Sequence, residues 1–341
     1  MLRIDSRALA ALYLLAVLPA GAALHVYLWK SETAWEDVYY AWVEGHRILV
    51  MENPYARILD GDMRENRKYA TYFPLFYELS SLAQLAGLRQ YGQWIALWRF
   101  AFLLFDMGIT VLMFYIPYQR RMPSLAVFGT MFWLFNRWTL HVTEVAHIDF
   151  IPILFLLWSL ALFGTHRRWA LLLISLSLGM KQIAIFVVPL YLIWVWQDTR
   201  ESQLKEVLKA GALIASVPAL ASLPFIIWNM RAFVLSILFS VTRSPEGHFG
   251  VMSVDTYLGL DGFLARLPML GLLALSYWLV WRRTVGMYTA VLLVLAAFTG
   301  FNPVLFRVYL AWLTPFLPLA VCDSTPPGML GASTSERVAS S

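Results

Sequence analysis

The chain has 341 residues, of which 60% are hydrophobic, 16% aromatic and only 14% charged. A soluble domain carries roughly 25% charged residues and has too little interior to hide so much apolar surface. The net charge of +5 comes as isolated basic pairs between apolar runs rather than a stripe on one face, which sets nucleic acid aside as a partner and points to membrane topology.

The first apolar run, Ala8 to Trp29, follows Arg3 and Arg7 and is long enough to cross a hydrocarbon core of about 30 Å. It reads as a retained anchor, with Ala20-Gly21-Ala22 as an alternative signal-peptidase site. The segment 30–91 then mixes charges with aromatic residues. It opens on Trp35-Glu36-Asp37-Val38-Tyr39-Tyr40, continues amphipathically to Val50, and holds Tyr72 to Leu88. That last stretch is short and carries Glu78, Ser80, Ser81 and Gln84, so it reads as an interfacial or re-entrant helix. Apolar runs follow at Trp94 to Ile116, Ser124 to Leu140 and Ile148 to Gly164. As a single span, Trp169 to Trp196 would bury Lys181 near its middle, at a cost of about 2.5–3.5 kcal/mol. Two short helices meeting at Lys181-Gln182 avoid that cost. The remaining runs are Val207 to Trp228, Phe263 to Trp281, Thr284 to Gly300 and Val304 to Cys322, with a second polar segment at 229–262. Lipid cannot satisfy backbone N–H and C=O groups, so an all-α polytopic fold is expected.

Arg3/Arg7, Arg120-Arg121, Arg167-Arg168, Arg200/Lys205/Lys209 and Arg282-Arg283 all fall on one side of this arrangement. The positive-inside rule makes that side cytoplasmic. The loops His141 to Asp149 and Phe301 to Pro303 contain no Lys or Arg and fall outside. About ten spans with both termini inside are expected. They form one transmembrane module, 1–322, with long outer loops at 30–91 and 229–262. The Ser, Thr, Pro and Gly-rich tail 323–341 reads as a disordered cytoplasmic end. A lone cysteine, Cys322, excludes an intramolecular disulfide framework and a Cys pair for zinc or redox chemistry.

Several residues have the chemistry of a site. A carboxylate such as Glu36 or Asp37, held just beyond the first span, can accept a proton from a hydroxyl or bind a cation; it can equally be a solvated acid at a helix start. His147 and Asp149 are two apart, on different faces of a helix but able to converge in a loop, and helix capping by Asp149 is the alternative. No His-Glu-x-x-His or Cys-x-x-Cys accompanies them, so no zinc site is expected. Lys181 at the tip of a short helical pair, and Arg307 just after Asn302-Pro303, are ionisable residues at membrane depth and imply a partner or a polar cavity. Asp106 and Arg137 read as paired structural charges. Arg243 and His248, in Arg243-Ser-Pro-Glu246-Gly-His248-Phe-Gly250, lie in a shaped loop. There a histidine or arginine can neutralise a phosphate, or simply face solvent.

Taken in order, these pieces resemble the GT-C-fold glycosyltransferases that use polyprenyl-phosphate sugars. The likeness is nearest to the lipid-linked glucosyltransferases of N-glycan assembly and to polyprenyl-phosphate-mannose-dependent transferases. Glu36-Asp37-Val38-Tyr39 resembles the family's first-loop acidic motif, and Tyr72-Phe73-Pro74-Leu75 its Tyr-Pro-Pro-Leu signature with Phe73 for the first proline. Arg99 and Asp106 resemble an Arg and Asp of the following span. Ala146-His147-Ile148-Asp149 is similar to a Gly-His-Phe-Gln/Asp motif with Ala146 for glycine, and Gly179-Met180-Lys181-Gln182 with Pro189 to a Lys-Gln helix break. Phe301-Asn302-Pro303 with Arg307 and Tyr309 resembles the last-span motif, and His248 lies where some members place a leaving-group histidine.

The resemblance implies transfer of a hexose, such as mannose or glucose, from a polyprenyl-phosphate carrier to a hydroxyl of a glycan, lipid or protein acceptor, with inversion. Asp37 would be the base, with Lys181, Arg307 and His248 facing the phosphate. Glu36, Tyr72, His147, Asp149, Gln182, Arg243 and Tyr309 would line the substrates. A divalent metal stays open as a cofactor. The implied location is a bacterial inner membrane with the site on its outer face, or the endoplasmic reticulum membrane in a eukaryote. The rival readings are a transporter or flippase of lipid-linked substrates, which predicts a polar path through the membrane and repeated halves, and a non-catalytic binder of such lipids.

Overall fold

The computed structural model describes residues 6–29, 37–61, 70–242, 252–260, 262, 264–302 and 305–324. Among them the α-helices, in chain order, are α1 (Ser6–Leu28), α2 (Asp37–Leu49), α3 (Leu75–Leu85), α4 (Tyr91–Gln119), α5 (Pro123–Phe135), α6 (Arg137–Glu144), α7 (Phe150–Leu162), α8 (Arg167–Met180), α9 (Val188–Asp198), α10 (Gln203–Thr242), α11 (Val254–Tyr257), α12 (Leu267–Trp281), α13 (Met287–Gly300) and α14 (Phe316–Val321). No strand occurs among the described residues. Three segments are long and apolar enough to cross a membrane: Ala8–Leu28, Tyr91–Gln119 and Gln203–Phe239. Six shorter apolar stretches accompany them: Pro123–Phe135, Phe150–Leu162, Gln182–Asp198, Leu267–Trp281, Met287–Gly300 and Arg307–Val321.

The expected break at Lys181 is present. Helix α8 stops at Met180, Lys181 is extended (φ −154, ψ 127), and a 3-10 turn over Gln182–Val187 leads into α9. Three other runs differ from their sequence reading. Ser124 to Leu140 is not one helix, because Asn136 turns extended (φ −77, ψ 152) and its side chain accepts from the N–H groups of Trp138 and Thr139, capping α6. Helix α10 runs past Trp228 to Thr242, with non-helical geometry at Asn229 (φ −160, ψ 93). The last apolar run divides into a 3-10 turn, Arg307–Trp312, and the short α14.

Helices α7 and α8 pack together, with α10 against α8 and α4 against both α5 and α7. Buried serines join the first pair: Ser159 Oγ donates to the Ala170 carbonyl at 2.6 Å and Ser177 Oγ to that of Pro152 at 2.8 Å. Such polar contacts hold helices together where lipid removes the hydrophobic drive. The segment that carries Asp37 is fixed differently, by close approach of α2 to α3. A Cβ on Gly45 would lie 2.3 Å from Ser80 Oγ and 2.9 Å from the Ser81 backbone nitrogen, so only glycine allows that approach. Gly45→Ala is therefore expected to destabilise the protein by about 1–3 kcal/mol, seen as a lower thermal midpoint in detergent. An unchanged midpoint would show that α2 and α3 separate at no cost.

Candidate active site

Asp37 opens α2, so the helix-start reading holds, but its carboxylate also reaches across to the turn after α6. There His147 Nε2 stands 3.0 Å from Asp37 Oδ2, while His147 Nδ1 lies 2.5 Å from Asp149 Oδ2. The other Asp149 oxygen accepts from Lys181 Nζ at 2.6 Å and from the Trp312 indole N–H at 2.5 Å. Asp149 makes no capping bond to α7, so the capping alternative gives way to this inward pairing. The Lys181 ammonium also sits over two rings, 5.0 Å from that of Tyr309 and 5.6 Å from that of Tyr72. Three segments distant in sequence thus supply one line of ionisable side chains, Asp37, His147, Asp149 and Lys181, and two more bring Tyr72 and the Tyr309 and Trp312 rings against it.

Burial grades along that chain. The Asp37 side chain is 29% exposed, that of His147 6%, and those of Asp149 and Lys181 0% and 1%. Only Asp37 substantially faces outward. Burial and the Lys181 ammonium oppose protonation of His147, but the Asp149 and Asp37 carboxylates outweigh them and hold its pKa above the ordinary imidazole value. Burial likewise works against the Asp149 anion, yet Lys181 and His147 hold it well below the usual carboxylate range. The Tyr72 phenol is pushed up by burial first and by Asp37 and Tyr309 next, and stays neutral.

Ala146 supplies the local geometry. Its φ of 52° lies in the left-handed region, which swings the chain from α6 back toward Asp37. Glycine takes that conformation freely, and it is the residue the resembled motif carries there. Ala146→Gly is expected to leave stability nearly unchanged, strain relief of about 1–2 kcal/mol offsetting the lost methyl and the added unfolded-state freedom. Ala170→Gly, buried within α8, is the contrasting control and is expected to cost more than about 1 kcal/mol. Equal losses in the two thermal melts would count against strain at Ala146.

The remaining expectations divide. Asp37, Tyr72, His147, Asp149, Lys181 and Tyr309 come together. Lys181 is enclosed by Asp149 and the two rings, so it does not face an open phosphate cleft as expected. Arg307 lines an open pocket with Arg137, His141 and Glu144, a lining that does not include Lys181. Gln182 begins the 3-10 turn, with its Oε1 buried and without a hydrogen-bond partner among the described residues. Glu36, Arg243 and His248 lie outside the described residues. Asp106 does not pair with Arg137: its oxygens meet His25 Nδ1 at 2.8 Å and the Trp133 indole N–H at 2.7 Å, while Arg137 lies 5.5 Å from the Trp138 ring centroid. Trp312, His25 and His141 were not singled out in the sequence. Among the described residues no group of three or more His, Cys, Asp or Glu side chains is placed to hold a metal ion.

The helix behind Asp37 carries a titratable brace. Glu44 is buried, with Arg57 at 3.3 Å and Arg47 at 3.4 Å, yet burial outweighs both guanidinium groups and pushes its pKa up to about 7. A carboxyl raised in this way binds its proton more tightly folded than unfolded, so its contribution favours the fold at low pH. That contribution is lost as pH rises from about 4.5 to about 7. Glu78, pushed up to about 7 by burial, acts with the same sign. Glu44→Gln is expected to flatten a falling stability profile across this window; an unaltered slope would contradict the assignment.

Compared with known protein families and with curated proteins, the chain matches none.

Proposed function

We propose that the protein is a membrane glycosyltransferase that moves a hexose from a polyprenyl-phosphate carrier to an acceptor hydroxyl, with inversion, at the outer end of a bundle of about ten spans. The observation that carries the reading is a partly exposed carboxylate backed by a buried chain of alternating charge. Intramembrane ionisable residues are expensive, and a line of four that ends at one accessible carboxylate is an arrangement suited to holding a base.

In this reading Asp37 takes the proton of the acceptor hydroxyl as the oxygen attacks the anomeric carbon. The bond from that carbon to the phosphate oxygen breaks, its electron pair leaves with the polyprenyl phosphate, and the proton on Asp37 passes to water. His147, held between the two carboxylates, fixes which Asp37 oxygen faces the substrate. Asp149 holds the imidazole, and Lys181 holds Asp149. Lys181 is thus a positioning residue, and contact with the phosphate falls to other cations. Tyr72 and Tyr309, aromatic beside the chain, suit stacking on a sugar ring. Purified protein given a labelled polyprenyl-phosphate hexose and an acceptor should release one polyprenyl phosphate per hexose transferred, with the opposite anomeric configuration. Retained configuration would remove single displacement and Asp37 as its base.

A further inference from the structure

Helices α7 and α8 pack as an antiparallel pair. Asp149 and Lys181 close one end of it, and Phe163 and Arg167 lie at the other, about 20 Å away along the helix axis. At that far end a groove of about 880 Å³ opens against α8, α9 and α10, within the roughly 300–1,000 Å³ of small-molecule sites. Its mouth carries Arg167, Arg168, Glu206 and Lys209, three cations against one carboxylate. Arg167 pairs with Asp198 at 2.8 Å and Lys209 with Glu206 at 2.6 Å. Arg168, by contrast, is exposed and has no ion pair or hydrogen bond among the described residues. The floor is apolar, with Leu171, Val195 and Ala210 all buried. From Glu206 to Ser216 the groove follows α10 for about 15 Å, half of a hydrocarbon core of about 30 Å. A second groove, of about 810 Å³, shares Lys209 and includes Trp196, Leu204 and Leu208 in its lining, the two leucines each 64% exposed. Two largely apolar grooves thus meet at one ammonium group, with an unpaired guanidinium at the mouth of the first.

We infer that a two-chain anionic glycerophospholipid sits here, its phosphate held by Arg168 and Lys209, one acyl chain in the groove along α10 and the other over Leu204 and Leu208. The depth of apolar floor matches one leaflet, which suits an acyl chain and is of no use to a free phosphate ion. The excess of cations at the mouth favours a headgroup of net negative charge over a zwitterionic one, and guanidinium is the side chain best shaped for phosphate oxygens. The lipid bridges α8 and α10 at the end of the bundle opposite Lys181. It is a resident of the fold rather than a substrate, and the inference needs a membrane-embedded chain but not sugar transfer.

The test is photolabelling of the full chain in phosphatidylcholine nanodiscs doped with phosphatidylglycerol that carries a diazirine on one acyl chain, followed by mapping of the labelled peptides. Labelling is expected to saturate and to concentrate in segments 163–171 and 204–216. Unlabelled phosphatidylglycerol is expected to displace the probe several-fold better than phosphatidylethanolamine, and soluble glycerol phosphate is expected not to displace it. Arg168→Gln and Lys209→Gln are each expected to weaken binding about fivefold, the worth of one basic group at an anionic headgroup. Glu206→Gln, which removes the one carboxylate of the mouth and releases Lys209 from its pair, is expected to strengthen binding several-fold. Labelling spread evenly over the lipid-facing helices, equal displacement by phosphatidylethanolamine, displacement by glycerol phosphate, or wild-type affinity in both cation variants would each overturn the site. Should the cation variants fold poorly, Glu206→Gln decides: stronger binding needs a folded groove, and an unchanged affinity there would remove the phosphate from this mouth.

Discussion

Lys181→Met is expected to destabilise the folded protein by about 3–5 kcal/mol, the cost of leaving a buried charge without its partner. The charge left behind is the Asp149 carboxylate, fully enclosed and acting as acceptor for Lys181, His147 and Trp312 together. Its loss of stability should be largely recovered in the double variant Asp149→Asn/Lys181→Met, which buries no unpaired ion and keeps an acceptor for the indole N–H. Sugar transfer should not return with it, because the imidazole between Asp149 and Asp37 then loses one of the two carboxylates that orient it. Chemical denaturation in mixed micelles reads the first effect and turnover the second. Equal stability of single and double variants would show that the ion pair is not what holds these helices together.

Asp37→Asn is expected to lower turnover by about 10²–10⁴-fold, the usual contribution of a positioned general base. Stability should change little, since this carboxylate is the exposed end of the chain and an amide oxygen can still accept from His147 Nε2. His147→Gln should fall less far in turnover and shift the pH profile of what remains, because it alters the field at the base without removing it. A merely structural histidine would lower the amount of folded protein and leave the profile where it was.

The parts of this arrangement that sequence reasoning reached were those with a large energetic sign. Lys181 inside an apolar run is too costly to leave unpaired, and that cost alone called for the helix break between Met180 and Gln182. The two-residue spacing of His147 and Asp149 allowed convergence only off a helix, and both sit in the turn between α6 and α7. The break at Asn136 was hidden because the apolar run was carried across Asn136-Arg137 to Leu140, while the signal that mattered was one capping side chain. Trp312 was missed because an indole in an apolar segment looks like packing until its N–H is seen to need an acceptor. His25 was missed for the same reason: a lone histidine at the end of an apolar helix gives no hint that Asp106 and Thr143 wait for it more than 80 residues away along the chain. The resemblance set Arg307 and Lys181 at one phosphate, yet Arg307 lines an open pocket with Arg137 and His141 whose lining does not include Lys181. Depth is legible from a sequence, whereas the direction a side chain takes around the bundle is set by packing.

The most direct test presents purified wild-type and Asp37→Asn proteins, in the same nanodiscs, with a panel of radiolabelled polyprenyl-phosphate hexoses and an extract of lipid-linked and glycan acceptors. The account predicts that at least one hexose moves to an acceptor with the wild-type protein, and that the Asn variant loses that transfer while still binding the carrier. No transfer from any donor by folded wild-type protein, or equal transfer by the two, would contradict it.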